Sequence, residues 1–387
     1  MYYLTNTYRQ RTPLLALLIL CTLFSRAQSR QPDSTRLVLA NIVTLHSNVL
    51  NQDRKIEIYT PYLHPLDKWP EGPLPVLYLL DGDVLTQVVA AELNYLSATY
   101  YNLPAMIVVG IHNYDRNRMY DLTPTVPDGS FGYQHDTTAY GGGDHFLQFL
   151  ETELIPYVEG HYATDSFRIL AGHSMGGLLA FHCLANHPSL FNAYIAISPS
   201  LWWDSAHTLR AAEEKWRRTS PKNRFLFYSE ANEGGNMRLN IQALDSFLRQ
   251  QPLAGLQSKY VPYPEESHGT EPIKAMEDAL HWLYPDWYPG ITDSTASLVT
   301  QHYNRLSQKY GYTIHPAEGF VARRGARILA SGRTEDALAF FQLNTINYPA
   351  SSAAWKQLGD AWTKKGETAK AQECYKKAGQ PEARPNP

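Results

Sequence analysis

The sequence predicts an α/β protein, with a mostly parallel sheet covered by helices on both faces, followed by a smaller all-helical region. Three observations carry this expectation. From about residue 40 to 290, short β-branched apolar runs alternate with stretches of helical period. One of those runs leads directly into Gly172-His173-Ser174-Met175-Gly176, which opens a helical stretch. Near the C-terminus the β runs stop, and large and small side chains recur at the roughly 34-residue spacing of a helical repeat.

The N-terminus comes first. Arg9 and Arg11 precede an apolar run from Leu14 to Phe24, and Ser25-Arg26-Ala27 places small residues where a signal peptidase cuts. The run is too short to span a bilayer. Residues 1–27 are therefore expected to be an export signal, leaving a periplasmic or secreted chain with no integral membrane span; the alternative is an uncleaved anchor. Cys21 makes a poor lipoprotein site, because Leu20 stands where that signal wants a small residue. Signal removal leaves Cys183 and Cys374, which form neither a disulfide framework nor a metal site and are expected to be small buried hydrophobes.

Residues 28–290 are expected to form the catalytic domain. Val43–Val49 and Lys55–Tyr59 predict paired opening strands. Pro75–Leu80, Ala105–Val109, Phe167–Ala171, Ala193–Ile197, Phe225–Tyr228 and Lys259–Tyr263 predict the strands that follow. The spacing of Phe146, Leu147, Phe149, Leu150, Leu154 and Ile155, and of Ile241, Leu244, Phe247 and Leu248, predicts helices between them. Strands separated by helices imply a largely parallel sheet.

Residues 291–316 predict a linker with a helix, and 317–387 helical repeats. Trp355, Leu358, Gly359, Trp362, Ala371, Tyr375 and Ala378 fit the tetratricopeptide pattern, and shifting back by one repeat reaches Gly325, Ala337 and Phe341, with Gly332 matching Gly366. Small residues there let two antiparallel helices approach while the aromatic fills the gap. Two repeats are fewer than a free-standing array needs, so they are expected to dock on the preceding domain or on a helix within 294–310.

The net charge of -3 gives no electrostatic reason to expect a nucleic-acid partner, which would call for a basic stripe. The 26 Tyr and 8 Trp suit aromatic binding walls and an aromatic-rich core equally well.

The chemistry centres on Ser174. In a sharp strand-to-helix turn the positions two before and two after the serine must be nearly without side chains, and Gly172 and Gly176 meet that need. A serine hydroxyl requires a base. Of the histidines after the elbow, His268 lies in the loop Pro264–Thr270 between a strand and a helix, where a late βα turn would present an imidazole to Ser174. His207 comes too early, His281 falls inside a helix, and His302 and His315 lead into the repeats. The acid is expected just past Phe225–Tyr228, where Glu233 and Glu230 both qualify; register favours Glu233, and Glu230 is the reserve. A Ser–His dyad without an essential acid remains a third arrangement. The oxyanion donors are expected to be the backbone N–H groups of Met175, beside the nucleophile, and of Asp83, in the turn Asp81-Gly82-Asp83. Trp202 and Trp203 follow Ala193–Ile197 and fall at the carboxyl edge of the sheet, either as a substrate wall or pinned into the core. No metal or organic cofactor is implied.

Leu77–Gly82, Arg118–Pro124, the serine turn and Ser198–Trp203 together resemble the esterase family of α/β-hydrolases that includes esterase D, feruloyl esterases and enterobactin esterases. The resemblance covers about 40–290 and implies the α/β-hydrolase fold, and a subset of that family carries C-terminal tetratricopeptide-like repeats. Two positions depart from it: Asp81 stands where many relatives have His, and a Glu stands where many have the acid Asp. The expected function is hydrolysis of a carboxylic ester, of a small molecule or a glycan, through an acyl-enzyme on Ser174. Acyl transfer to a bound alcohol uses the same residues and is the runner-up. A non-enzymatic binding protein acting through the repeats is the alternative class.

Overall fold

A computed structural model of the chain describes residues 39–61, 73–114, 117–129, 132–288 and 295–379. The expected export signal, 1–27, lies outside the described residues. Among the described residues no helix is long and apolar enough to cross a membrane.

Among the described residues, eight strands form one mixed sheet in the order β1-β2-β4-β3-β5-β6-β7-β8. They are β1 (Asn41–Ser47), β2 (Gln52–Tyr59), β3 (Leu74–Leu80), β4 (Ile107–Ile111), β5 (Thr164–His173), β6 (Ala193–Ile197), β7 (Arg224–Ala231) and β8 (Leu256–Tyr263). β1 pairs antiparallel with β2 and β2 antiparallel with β4; every other pairing is parallel. β3, β4 and β6 are buried along their whole length, as strands covered on both faces must be, and so read as unbroken apolar runs.

Alternation along each strand divides the core in two. Val76, Tyr78 and Leu80 of β3 face one cluster together with Leu178, Phe181 and Trp203, while Leu77 and Leu79 face another with Phe167, Phe225 and Tyr284. The crossover helices that cover these faces are α1 (Gly82–Asn94), α2 (Arg118–Leu122), α3 (Gly143–Phe149), α4 (Ile155–His161), α5 (Met175–Asn186), α6 (Trp203–Trp216), α7 (Gly235–Gln250) and α8 (Glu271–Leu283). A π-helical turn at Leu150–Leu154 joins α3 to α4.

Several strands outrun their apolar signal. β5 extends the expected Phe167–Ala171 at both ends, and β7 runs on to Ala231, with Ser229, Glu230 and Ala231 paired to Val261, Pro262 and Tyr263. The backbone ladder continues where the side chains turn polar, which a hydrophobic pattern cannot register.

Among the described residues, five helices follow: α9 (Ala296–Tyr310), α10 (Glu318–Ala330), α11 (Thr334–Asn347), α12 (Ser352–Lys365) and α13 (Thr368–Ala378). α9 starts at Thr295, whose side chain accepts from the Leu298 N–H, and stops at Gly311 with φ 80°. Its Tyr310 ring meets Phe167 edge-on at 5.5 Å and lies 4.9 Å from Tyr284, and its hydroxyl donates to the Leu283 carbonyl at 2.6 Å. The helical region thus shares a core with the sheet. Within it, a Cβ on Gly325 would stand 2.7 Å from Phe341, and one on Gly359 would stand 2.6 Å from Tyr375. Glycine opposite an aromatic lets each helix pair close.

Candidate active site

The parallel strands deliver their C-terminal ends to one edge of the sheet, where ligands bind in such folds. Ser174 follows β5 there and caps α5 with φ 59° and ψ -115°, a strained conformation for a residue with a side chain. The surroundings hold it in place. Its N–H donates to the Ile197 carbonyl at 3.0 Å, and its carbonyl accepts from the N–H groups of Leu178 and Ser200 at 2.9 and 3.0 Å. Gly177 packs against Ile197 and Pro199 at about the closest approach a Cβ would tolerate. The Ser174 Oγ, half-buried, lies 3.4 Å from the Ser200 Oγ.

His268 comes from the loop after β8, and Glu233 from the loop after β7. The two loops are tied together by the Asn232 N–H, which donates to the Glu266 carbonyl at 2.8 Å. The Nδ1 of His268 is hydrogen-bonded to the Glu233 carboxylate, so Nε2 is the nitrogen left for another partner. The second Glu233 oxygen accepts from the Ser198 hydroxyl at 3.2 Å. The His268 ring lies 4.2 Å from that of His173, the residue before Ser174. Burial, with the nearby His268 and Arg118 charges, drops His173 to about 3, which keeps it neutral.

Glu230 turns elsewhere. Inside β7 and almost fully buried, it accepts from the Gln242 amide at 3.0 Å and pairs with Arg238 at 3.5 Å. Of the two expected acids, only Glu233 meets the imidazole.

On the other side of the elbow, Asp81 caps α1 with φ 54°. Arg118 donates to both of its carboxylate oxygens at 2.8 Å, and the Asp81 backbone N–H donates to the Asn113 side-chain oxygen at 3.1 Å. Burial raises the Asp81 carboxyl, with the guanidinium pulling against it. Gly82 has no room for a side chain, since a Cβ would stand 2.3 Å from Gly110 backbone. Asp83 follows in the first turn of α1, its carboxylate accepting from the Tyr114 N–H at 3.1 Å. Met175 opens α5. Both backbone N–H groups therefore belong to helix N-termini, where no intrahelical acceptor exists. The Asp81–Arg118 pair was not anticipated, although Arg118 opens one of the segments that carry the family resemblance.

The two tryptophans separate. Trp203, a candidate for the substrate wall, is fully buried with its indole N–H donating to the Thr125 carbonyl at 3.0 Å, so it offers no surface to a ligand. Its place is set by close packing with Tyr133 and Tyr140, at 5.0 and 5.3 Å. Trp202 is half-buried and stacks obliquely on Tyr133 at 6.2 Å.

Away from this edge, Asp144, His182 and His187 bring one carboxylate oxygen and two imidazole nitrogens within 4.8 Å of one another. Asp144 already bonds both rings, at 2.7 and 3.3 Å, and those contacts lower its pKa.

Comparison with known proteins identifies the family. The family described as putative esterase matches residues 47–263. The siderophore triacetylfusarinine C esterase of Aspergillus fumigatus is 37% identical over 161 residues, 39% of this chain and 53% of that protein. The ferri-bacillibactin esterase of Bacillus subtilis is 28% identical over 260 residues, 61% of this chain and 87% of that protein. The match thus spans about half the length of the fungal relative and most of the bacterial one. Among solved structures, an IroE-like serine hydrolase from Shewanella oneidensis superposes with a TM-score of 0.69 at 30% identity, covering 79% of this chain and 99% of that one.

Proposed function

The chain belongs to the putative-esterase family, and with it to the carboxylic ester hydrolases, and from that premise we propose that it cleaves esters through an acyl-enzyme on Ser174. His268 is the base. Its Nε2 takes the Ser174 proton as Oγ bonds to the ester carbonyl carbon, then returns that proton to the departing alkoxide as the ester C–O bond breaks. Water repeats the cycle on the acyl-enzyme and releases the acid. Glu233 holds the imidazole tautomer through Nδ1 and stabilises the imidazolium. The N–H groups of Met175 and Asp83 receive the oxyanion.

The observation that carries this reading is the Glu233–His268 hydrogen bond, made by two loops at the same sheet edge as the strained Ser174 turn. The test is labelling by a fluorophosphonate alongside turnover of a chromogenic ester. Wild type should label and turn over, and Ser174→Ala should do neither. Retained labelling in that variant would refute the assignment.

The substrate class we favour is a siderophore ester, on the strength of the relatives named above, with Trp202 offering an aromatic wall for aryl groups. Hydrolysis of triester siderophores well above that of simple acyl esters supports this; equal rates refute it. We further read residues 1–27 as an export signal, 28–290 as an α/β-hydrolase catalytic domain, and 317–387 as tetratricopeptide-like repeats. The Gly325–Phe341 and Gly359–Tyr375 approaches support the last.

A further inference from the structure

Behind the Glu233–His268 pair lies a second carboxylate. Glu271 opens α8 three residues after His268 and is wholly shielded from solvent. It is hydrogen-bonded to the Ser198 hydroxyl, the same hydroxyl that reaches Glu233 at 3.2 Å. Ser198 itself is held at φ 37° at the end of β6, and its Oγ accepts from the Ala231 N–H at 3.2 Å. One serine oxygen therefore sits between two carboxylates.

Counting protons decides what this arrangement can be. A serine hydroxyl has one hydrogen to give and two lone pairs to fill. The Ala231 N–H fills one lone pair. If both carboxylates were ionised, the single hydrogen could serve only one of them. The other would face an oxygen lone pair in a dry pocket, an arrangement that costs the full desolvation of a charge. With one extra proton the chain closes: Glu271 donates to Ser198, Ser198 donates to Glu233, and Glu233 accepts from His268 Nδ1.

We propose that Glu271 is a positioning residue of this site, a neutral carboxylic acid that turns the Ser198 hydroxyl toward Glu233 and so fixes the carboxylate orienting His268. The inference rests on the assignment of His268 and Glu233 above. Burial favours the neutral form, against the α8 N-terminus at which Glu271 stands. Burial pushes Glu271 up to about 7, against the pull of the Ser198 and Ser229 hydroxyls; the Glu233 charge pushes the same way and His268 opposes it. From β8, Tyr263 also senses the Glu271 charge. Once Glu271 ionises, it competes with Glu233 for the Ser198 hydrogen.

The test measures kcat and KM of the whole protein on p-nitrophenyl butyrate at about pH 6 and about pH 8.5, on either side of the Glu271 transition. Glu271→Gln, whose amide donates as the neutral acid does, should keep kcat within about twofold at the lower pH and exceed wild type at the higher. Glu271→Leu should lose kcat by roughly ten- to hundredfold with KM unchanged, the rate equivalent of one hydrogen bond to a charged group. Should Glu271→Leu not fold, Ser198→Ala carries the same arm and the same expected loss. Full kcat in Glu271→Leu or Ser198→Ala, or a loss in Glu271→Gln as deep as in Glu271→Leu, overturns the proposal. Fluorophosphonate labelling of wild type, run in parallel, separates this from the parent reading: an unlabelled wild type removes the serine mechanism whatever Glu271 does.

Discussion

Gly172 and Gly176 approach so closely across the serine turn that a Cβ on Gly172 would stand 2.4 Å from the Gly176 carbonyl carbon. No side chain can be placed there without moving backbone. Gly172→Ala should therefore cost about 1–3 kcal/mol of stability through overpacking and displace Ser174. Thermal denaturation and fluorophosphonate labelling read the two effects. Unchanged stability and labelling together would mean that the turn is looser than its contacts require.

The two candidate acids should behave differently. Glu233→Gln removes the charge behind His268 and should lower kcat by roughly 10²–10⁴-fold, the range of a disabled acid–base system. Glu230→Gln touches the α7 contacts to Gln242 and Arg238 and the neighbouring Tyr260 hydroxyl, all away from the imidazole. It should alter melting temperature while leaving kcat within about threefold. Steady-state kinetics on both variants decide it, and a reversed ranking would make Glu230 the acid.

Trp202 and Trp203 should separate in the same way. Trp203→Ala removes a fully buried ring and should destabilise by about 3–5 kcal/mol. Trp202→Ala, at the half-buried edge, should raise KM for aryl esters with little change in melting temperature. A Trp202→Ala enzyme with wild-type KM would remove that residue from the binding wall.

The buried carboxyls should make stability decline as pH rises toward neutrality, with the neutral His173 working the other way below 6.5. Burial pushes Asp165 up to about 7, partly offset by the Phe167 N–H that its carboxylate accepts. Between the unfolded value near 3.8 and about 7, the folded chain holds this proton and the unfolded chain does not, so each pH unit costs at most about 1.4 kcal/mol. Asp165→Asn should make that decline shallower by this group's share, and melting temperatures at about pH 5 and about pH 8 measure it. A parallel decline in the variant would place the cause in Glu92 or Glu271, which burial also raises to about 7.

The C-terminal helices should be inseparable from the sheet. Removing 295–379 uncovers Phe167, Phe225 and Tyr284, which pack on Tyr310. Exposed apolar patches of that kind drive aggregation. The truncated chain should be insoluble, and Tyr310→Ala in the full chain should cost about 3–5 kcal/mol, as deletion of a large buried ring does. A soluble, fully active truncation would show that the helical region is an independent appendage.

The residues close together in the chain settled much of this protein in advance. Strand, glycine, serine, glycine and helix follow one another within a few turns, so the Ser174 elbow was readable directly, and the recurrence of glycine and aromatic residues announced how the C-terminal helices pair. Such features depend on local backbone preference and side-chain period, and both are written in consecutive residues. Other features depended on the register of strands far apart in sequence. Glu233 meets His268 across 35 positions and Ser198 meets Glu271 across 73. Glu230 lost the imidazole only because β7 ran three residues past its apolar core, and Trp203 turned inward because Tyr133, Tyr140 and Thr125 were waiting there. A polar side chain finds its partner through the sheet that carries it, and no local pattern encodes where that sheet will bring its ends.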